Sequence, residues 1–211
     1  MFANSSSKIP RGNNHIQIRH HLGSEMLSIW DQVTALCQRV NQATTGHGPK
    51  FQPTEFHITY TWLGHNVISY SSLQKANDLK RAERIAYLGT VCIVTSFLCG
   101  LDWRVPENPL LSRLIQKEAQ IPFDIDFSNS GEEFRLWLLF MGAAVNLQDS
   151  SHDDWLVPAT RQCLAGLNLK RWDRTKSIIT KYPWVEDLYS KKAAELFYRA
   201  MHVEDLEQSP S

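Results

Sequence analysis

The chain has 211 residues, 43% hydrophobic and 21% charged, and its 22 basic and 22 acidic side chains cancel. A domain of this length buries roughly 70% of the surface its unfolded chain exposes, so it can stand on a hydrophobic core without disulfide or metal. Zero net charge argues against the strong positive field of a whole-domain nucleic-acid binder.

The first 23 residues carry Lys8, Arg11, Arg19, three histidines (His15, His20 and His21) and no acid, in a setting of "NSSS" and "PRGNN". That composition predicts a flexible basic tail, more a solvated segment than a nucleic-acid arm. It has no apolar core followed by a small-residue cleavage site, so no secretory signal is expected. A helical domain should then occupy 24–203, with 204–211 ("EDLEQSPS") a disordered tail.

From Ser24, the apolar residues Leu27, Trp30, Val33, Cys37 and Val40 recur at threes and fours, the pattern of an amphipathic helix. "TTGHGP" ends it. Residues 54–63 remain open between strand and helix. "FHITYTWL" alternates like a strand, whereas the preface "PTE" and the spacing of Phe56, Tyr60 and Leu63 suit a helix.

Between Arg84 and Asp102 lie 17 uncharged residues, the lower margin of about 17–25 for a membrane span. Thr90, Thr95, Ser96 and two glycines dilute the run, which favours a central helix buried on all sides. "VPENP" breaks the chain and "PLLSRLIQKEA" forms a short helix. "IPFDIDFSNSGEE" reads as a loop in which Ser130 caps the next helix. That helix holds the most apolar text of the chain, "RLWLLFMGAAVN". Its uncharged run from Leu136 to Gln148 is shorter than the about 20 residues a bilayer needs. Gly142, Ala143 and Ala144 should let a neighbouring helix approach closely.

Ser151 and Asp154 have capping-box spacing, and Leu156, Ala159, Cys163 and Leu167 form one buried face of the helix that follows. Pro158 falls within the first two turns, where a missing amide proton matters least. "WDRTKSIITKYP" gives a short helix stopped by Pro183, and "WVEDLYSKKAAELFYRAM" a last one. The expected fold is all-α, an irregular bundle of about seven or eight helices.

Little of this text carries chemistry. The four cysteines, Cys37, Cys92, Cys99 and Cys163, lack C-x-x-C spacing and sit in apolar surroundings, where thiols pack as small hydrophobes in a reducing compartment. Phosphate-loop, dinucleotide, serine-hydrolase and zincin motifs are absent. "HDD" at His152–Asp154 resembles the metal-binding doublet of helical phosphohydrolases, which also need a further histidine and aspartate converging on the ion. The nearest upstream histidine is His65, so helix-start chemistry explains the doublet better. "KRAER" and "LKRWDR" read as solvated helix faces. Trp137, Trp155, Trp172 and Trp184 read as core, although a large apolar pocket would use the same residues.

"FRLWLLFMGAAVN" followed by "DDWLVPATRQCLAGLNLKRWDRTKSIITKYPW" resembles the regulatory region of fungal zinc binuclear cluster transcription factors. In that family an apolar helix with a small-residue segment precedes an acid-Trp helix start, a leucine-glycine-leucine turn, a tryptophan and a Pro-Trp pair. Here these are Trp155, "LAGLNL", Trp172 and Pro183-Trp184, and the resemblance covers about residues 78–200 well and 24–77 loosely. The family's six-cysteine DNA-binding cluster has no counterpart, so DNA recognition does not carry over. The chain then corresponds to the C-terminal regulatory portion, as a truncated product, a fragmentary gene model or a stand-alone relative.

The resemblance implies a non-enzymatic, nuclear regulatory and interaction domain in transcriptional control. Its partners would be the transcription machinery or a DNA-binding subunit, with a small-molecule effector as a further class. No direct DNA or membrane binding is expected, and no catalytic, cofactor-binding or metal-ligating residues are assigned. The alternatives are the His-Asp phosphohydrolase on His152 and Asp153, and a helical scaffold with neither activity nor effector.

Overall fold

A computed structural model describes residues 18–46, 48, 50–73, 80–101, 108–121, 128–147 and 150–207. Among them are eight α-helices and no strand: α1 (Ser24–Thr44), α2 (Pro53–Leu73), α3 (Arg81–Leu101), α4 (Pro109–Gln120), α5 (Ser128–Val145), α6 (Asp153–Gly166), α7 (Trp172–Ile179) and α8 (Glu186–Glu207). The chain is an all-α multi-helix bundle.

Its axis is α5. From Ser130 to Leu147 only Glu132 and Val145 are less than fully buried, because α3, α4, α6, α7 and α8 all pack around this one helix. A helix apolar on every side is stable only inside such a shell. The α3 helix is the second internal element, with no exposed residue from Arg81 to Phe97. No helix among the described residues is long and apolar enough to cross a membrane.

The centre of the core is aromatic. Trp30 of α1 meets Phe134 and Trp137 of α5 edge-on at 5.6 and 5.3 Å, and Phe134 stacks on Trp137 at 5.3 Å. The indole Nε1 of Trp137 donates to the carbonyl of Pro183 (3.1 Å), so the ring's one polar atom is satisfied where it is fully buried.

The helix ends follow local chemistry where side chains supply it. Asn108 caps α4, its side chain accepting from the amides of Leu110 and Leu111, and Pro109 occupies the first helical position. After α6 the chain turns through a left-handed residue, Asn168 (φ 52°). The amide of Leu169 bonds Leu164 O and that of Asn168 bonds Ala165 O, a Schellman motif in which buried Leu164 and Leu169 sit in the usual contact positions. The leucine-glycine-leucine turn is therefore a helix stop, with Asn168 in the left-handed position rather than Gly166. Asn41 of α1 bonds the far end of the chain, donating to Trp184 O and accepting from the first amide of α8, at Glu186.

Several details differ from the sequence reading. Residues 54–63 are helical within α2: Tyr60, Leu63, Val67 and Tyr70 turn inward at helical spacing, and this longer pattern outweighs the short β-like alternation. The α5 helix starts at Ser128, so Ser130 is its third residue and not its cap. A 3₁₀ turn, Ser150–His152, leads into α6, and His152, the residue before the helix, makes no side-chain cap. "KRAER" is not a solvated face, because Arg81 and Arg84 close on Glu118, which is 6% exposed. The basic segment before Ser24 is not tail throughout: Ile18 and Leu22 belong to the core, and Arg19 holds Asp31 by two bonds of 2.6 and 2.8 Å. Residues 1–17 lie outside the described residues. At the other end, the backbone of α8 continues through 204–207, into the segment expected to be a tail.

Candidate functional site

A cleft of about 510 Å³ opens between α5 and α8. Ala143 lines it from α5, Leu147 from just beyond the end of that helix, and Lys192, Glu195, Tyr198 and Arg199 from α8. The volume is within the roughly 300–1,000 Å³ of small-molecule sites.

Each charge around the cleft has a partner. Lys192 faces Glu195 at 3.6 Å, and Arg199 is held by Asp153 at the start of α6. Tyr198 is half exposed and rests on Phe197 and His202. None of the lining residues is a serine, cysteine or histidine. The lining can hold an amphiphilic small molecule or a partner's side chain, with apolar contact on the floor and exchangeable ion pairs at the edge.

The "HDD" doublet is placed beside this cleft. Asp153 forms the Arg199 pair, and the His152 ring meets Trp155 edge-on at 6.3 Å. His65 lies exposed on α2, within 3.5 Å of the Ser69 hydroxyl. Among the described residues no three His, Cys, Asp or Glu side chains come together in a way that could hold a metal ion.

A second polar assembly is internal. Arg84 bonds Glu118 at 2.7 Å, and Arg81 donates to the carbonyls of Glu118 and Ile121, capping the C-terminal end of α4. Arg135, 3% exposed, reaches Glu132 and Gln162, and the Cys163 thiol donates to Glu132 at 3.4 Å. Desolvation lowers the Arg81 pKa against the opposing pull of Glu118. These groups tie α3, α4, α5 and α6 together, and charge pairs so buried are costly to break singly.

Burial pushes the thiols of Cys37, Cys92 and Cys163 up to about 12. All three are free and buried, as the sequence suggested; the side chain of Cys99 is outside the described residues. Of the tryptophans taken as core, Trp137 and Trp184 are buried and Trp155 and Trp172 are partly so. Sequence reading missed Trp62, which is 59% exposed on α2. The unresolved period of "FHITYTWL" left its direction undefined. Three comparisons, with protein-family models, with curated proteins and with solved structures, gave no match.

Proposed function

We propose that this chain is a non-enzymatic regulatory and interaction domain of transcriptional control, acting in the nucleus through protein partners. The reading is supported by the order of residues shared with the fungal regulatory domains: the apolar α5 text, Trp155, "LAGLNL", Trp172 and Pro183-Trp184. The single observation that carries it is that the α5 text, the leucine turn, Trp172 and Pro183 pack on one core. Trp137 bonds Pro183 O, Trp172 lies against Phe140 and Phe197, and Leu164 and Leu169 close the turn between them. A motif made of mutually packed positions accords with a domain that relays binding. In this reading the α5–α8 cleft receives the effector or a partner's side chain, and DNA contact is supplied by another polypeptide.

The test is recruitment. Fused to an unrelated DNA-binding domain, the chain should change output from a reporter bearing that domain's sites, in either direction. Arg199→Glu with Lys192→Glu, which invert charge at the cleft, should reduce the change. A fusion that is expressed and folded but leaves the reporter unaltered would oppose the reading.

A further inference from the structure

A groove of about 260 Å³ runs between α1 and α2, away from the α5–α8 cleft. Glu25, Ile29 and Gln32 line it from α1, and Trp62, Asn66 and Tyr70 from α2, among others. Among the described residues that line it there is one formal charge, the carboxylate of Glu25, and no lysine, arginine or histidine. On the neighbouring face of α1, Arg19 is held by Asp31 at 2.6 and 2.8 Å.

Two contacts set the direction of the groove. Asn66 Nδ2 donates to Gln32 Oε1 at 3.2 Å. The Tyr70 phenol is raised to about 12, by burial first and then by the negative charge of Glu83 and Glu25. Glu83 is fixed at that end, where it accepts from the Gly23 amide at 2.6 Å. Numbering rises along one helix as it falls along the other, so α1 and α2 are antiparallel here. Glu25 and Tyr70 mark one end, and Gln32 and Trp62 the other. From Glu25 to Gln32 the helix rises about 10 Å. The two ends offer different chemistry. At the first, two carboxylates and the electron-rich ring of Tyr70, backed by Tyr87 at 5.8 Å, favour positive charge. At the second, the indole of Trp62 is 59% exposed and presents a face on which an aromatic ring stacks. Buried Ile29 supplies an apolar wall between them.

We propose that the α1–α2 groove binds an arylalkylammonium ion, an aromatic ring joined by a short chain to a protonated amine. The ring lies against Trp62 and Ile29, and the ammonium sits at the end formed by Glu25 and Tyr70. A carboxylic acid would meet Glu25 as a like charge, and a neutral ring compound would gain nothing from that carboxylate. The volume is just under the roughly 300 Å³ at which drug-sized sites begin, which favours a compact ligand. This inference is independent of the transcriptional reading and of the α5–α8 cleft.

NMR titration of the nitrogen-labelled full chain with phenethylamine tests it, the Trp62 indole resonance being identified by its loss in Trp62→Phe. That resonance should shift and saturate, with a dissociation constant of about 10⁻³ M or below, as befits so small a ligand. Phenethyl alcohol, which keeps the ring and lacks the charge, should bind at least about fivefold more weakly. Butylamine, which keeps the charge and lacks the ring, should do the same. Glu25→Gln, at an exposed position, should keep its thermal melt and weaken phenethylamine at least about fivefold. Asp187→Asn, an exposed acid on α8, should bind like the parent. An indole resonance that stays in place up to about 20 mM amine would overturn the proposal. So would phenethyl alcohol or butylamine binding as tightly as phenethylamine, or affinity unchanged in Glu25→Gln.

Discussion

Gly89 of α3 lies against the Trp137 ring of α5 so closely that a Cβ on the glycine would fall 2.1 Å from Cη2 of the indole. The ring cannot retreat easily, because Phe134 stacks on it and its Nε1 is bonded to Pro183 O. The two internal helices therefore meet through a missing side chain.

Gly89→Ala should consequently destabilise, by about 1–3 kcal/mol as overpacking does, which lowers the melting temperature by about 2–4 °C per kcal/mol for a chain of this size. Gly64 of α2 has nothing within 4 Å of its virtual Cβ. Gly64→Ala should raise the melting temperature, since alanine is favoured over glycine in a helix interior by about 0.5–1 kcal/mol. Paired thermal melts check both signs, and equal melting of the two variants would refute the close approach.

Asn146 should act as a buried clamp. Its Oδ1 accepts from the Asn108 amide, and its Nδ2 donates to Asn108 O and the Ser112 hydroxyl at 2.6 Å. Asn146→Ala strands groups of α4 inside the protein and should cost about 1–3 kcal/mol in denaturant melts. Asn146→Ser, which keeps a hydroxyl there, should lose less.

How far the sequence led depends on whether a residue's environment is set locally. The α5 text is apolar on every side, and that alone required a shell of helices, which is found. The cap at Asn108 rests on its own neighbours, whereas the 3₁₀ turn before α6 has no such local signal. The close approach expected at Gly142–Ala144 is divided: a Cβ on Gly142 would fall 3.4 Å from the Ile115 side chain of α4, Ala143 lines the cleft, and the tightest contact of any glycine described is at Gly89. Which small residue meets a large one depends on the partner helix, and periodicity within one helix cannot supply that. The cleft was illegible for the same reason, since its two walls lie about fifty residues apart.

The three buried thiols predict a pH dependence. Cys37, Cys92 and Cys163 have an ordinary value of 9.0 and are raised to about 12 in the fold. Between those values the unfolded chain releases protons that the folded chain retains, so ionisation favours unfolding. Their contribution to stability should be complete below about pH 9 and decline as pH rises toward about 12. Denaturant melts across that interval should show the fall, less steep in Cys92→Ala. Alkylation of the native protein near pH 8 with peptide mapping should leave all three unmodified. A flat profile, or ready alkylation of Cys92, would contradict their burial.

With balanced charge and no six-cysteine cluster, the purified chain should not bind duplex DNA specifically. Gel-shift titration at physiological salt checks this, and a sequence-dependent dissociation constant near about 10⁻⁸ M would refute it.

The most direct measurement of the regulatory proposal is chromatin immunoprecipitation of the tagged full-length chain from cells that express it. Because the purified chain is expected to lack DNA specificity, enrichment at discrete promoters would have to arrive through a bound partner. The account predicts such enrichment, reduced by the charge reversals at Lys192 and Arg199 on the cleft. Uniform background signal from a folded, nuclear-accessible protein would contradict it.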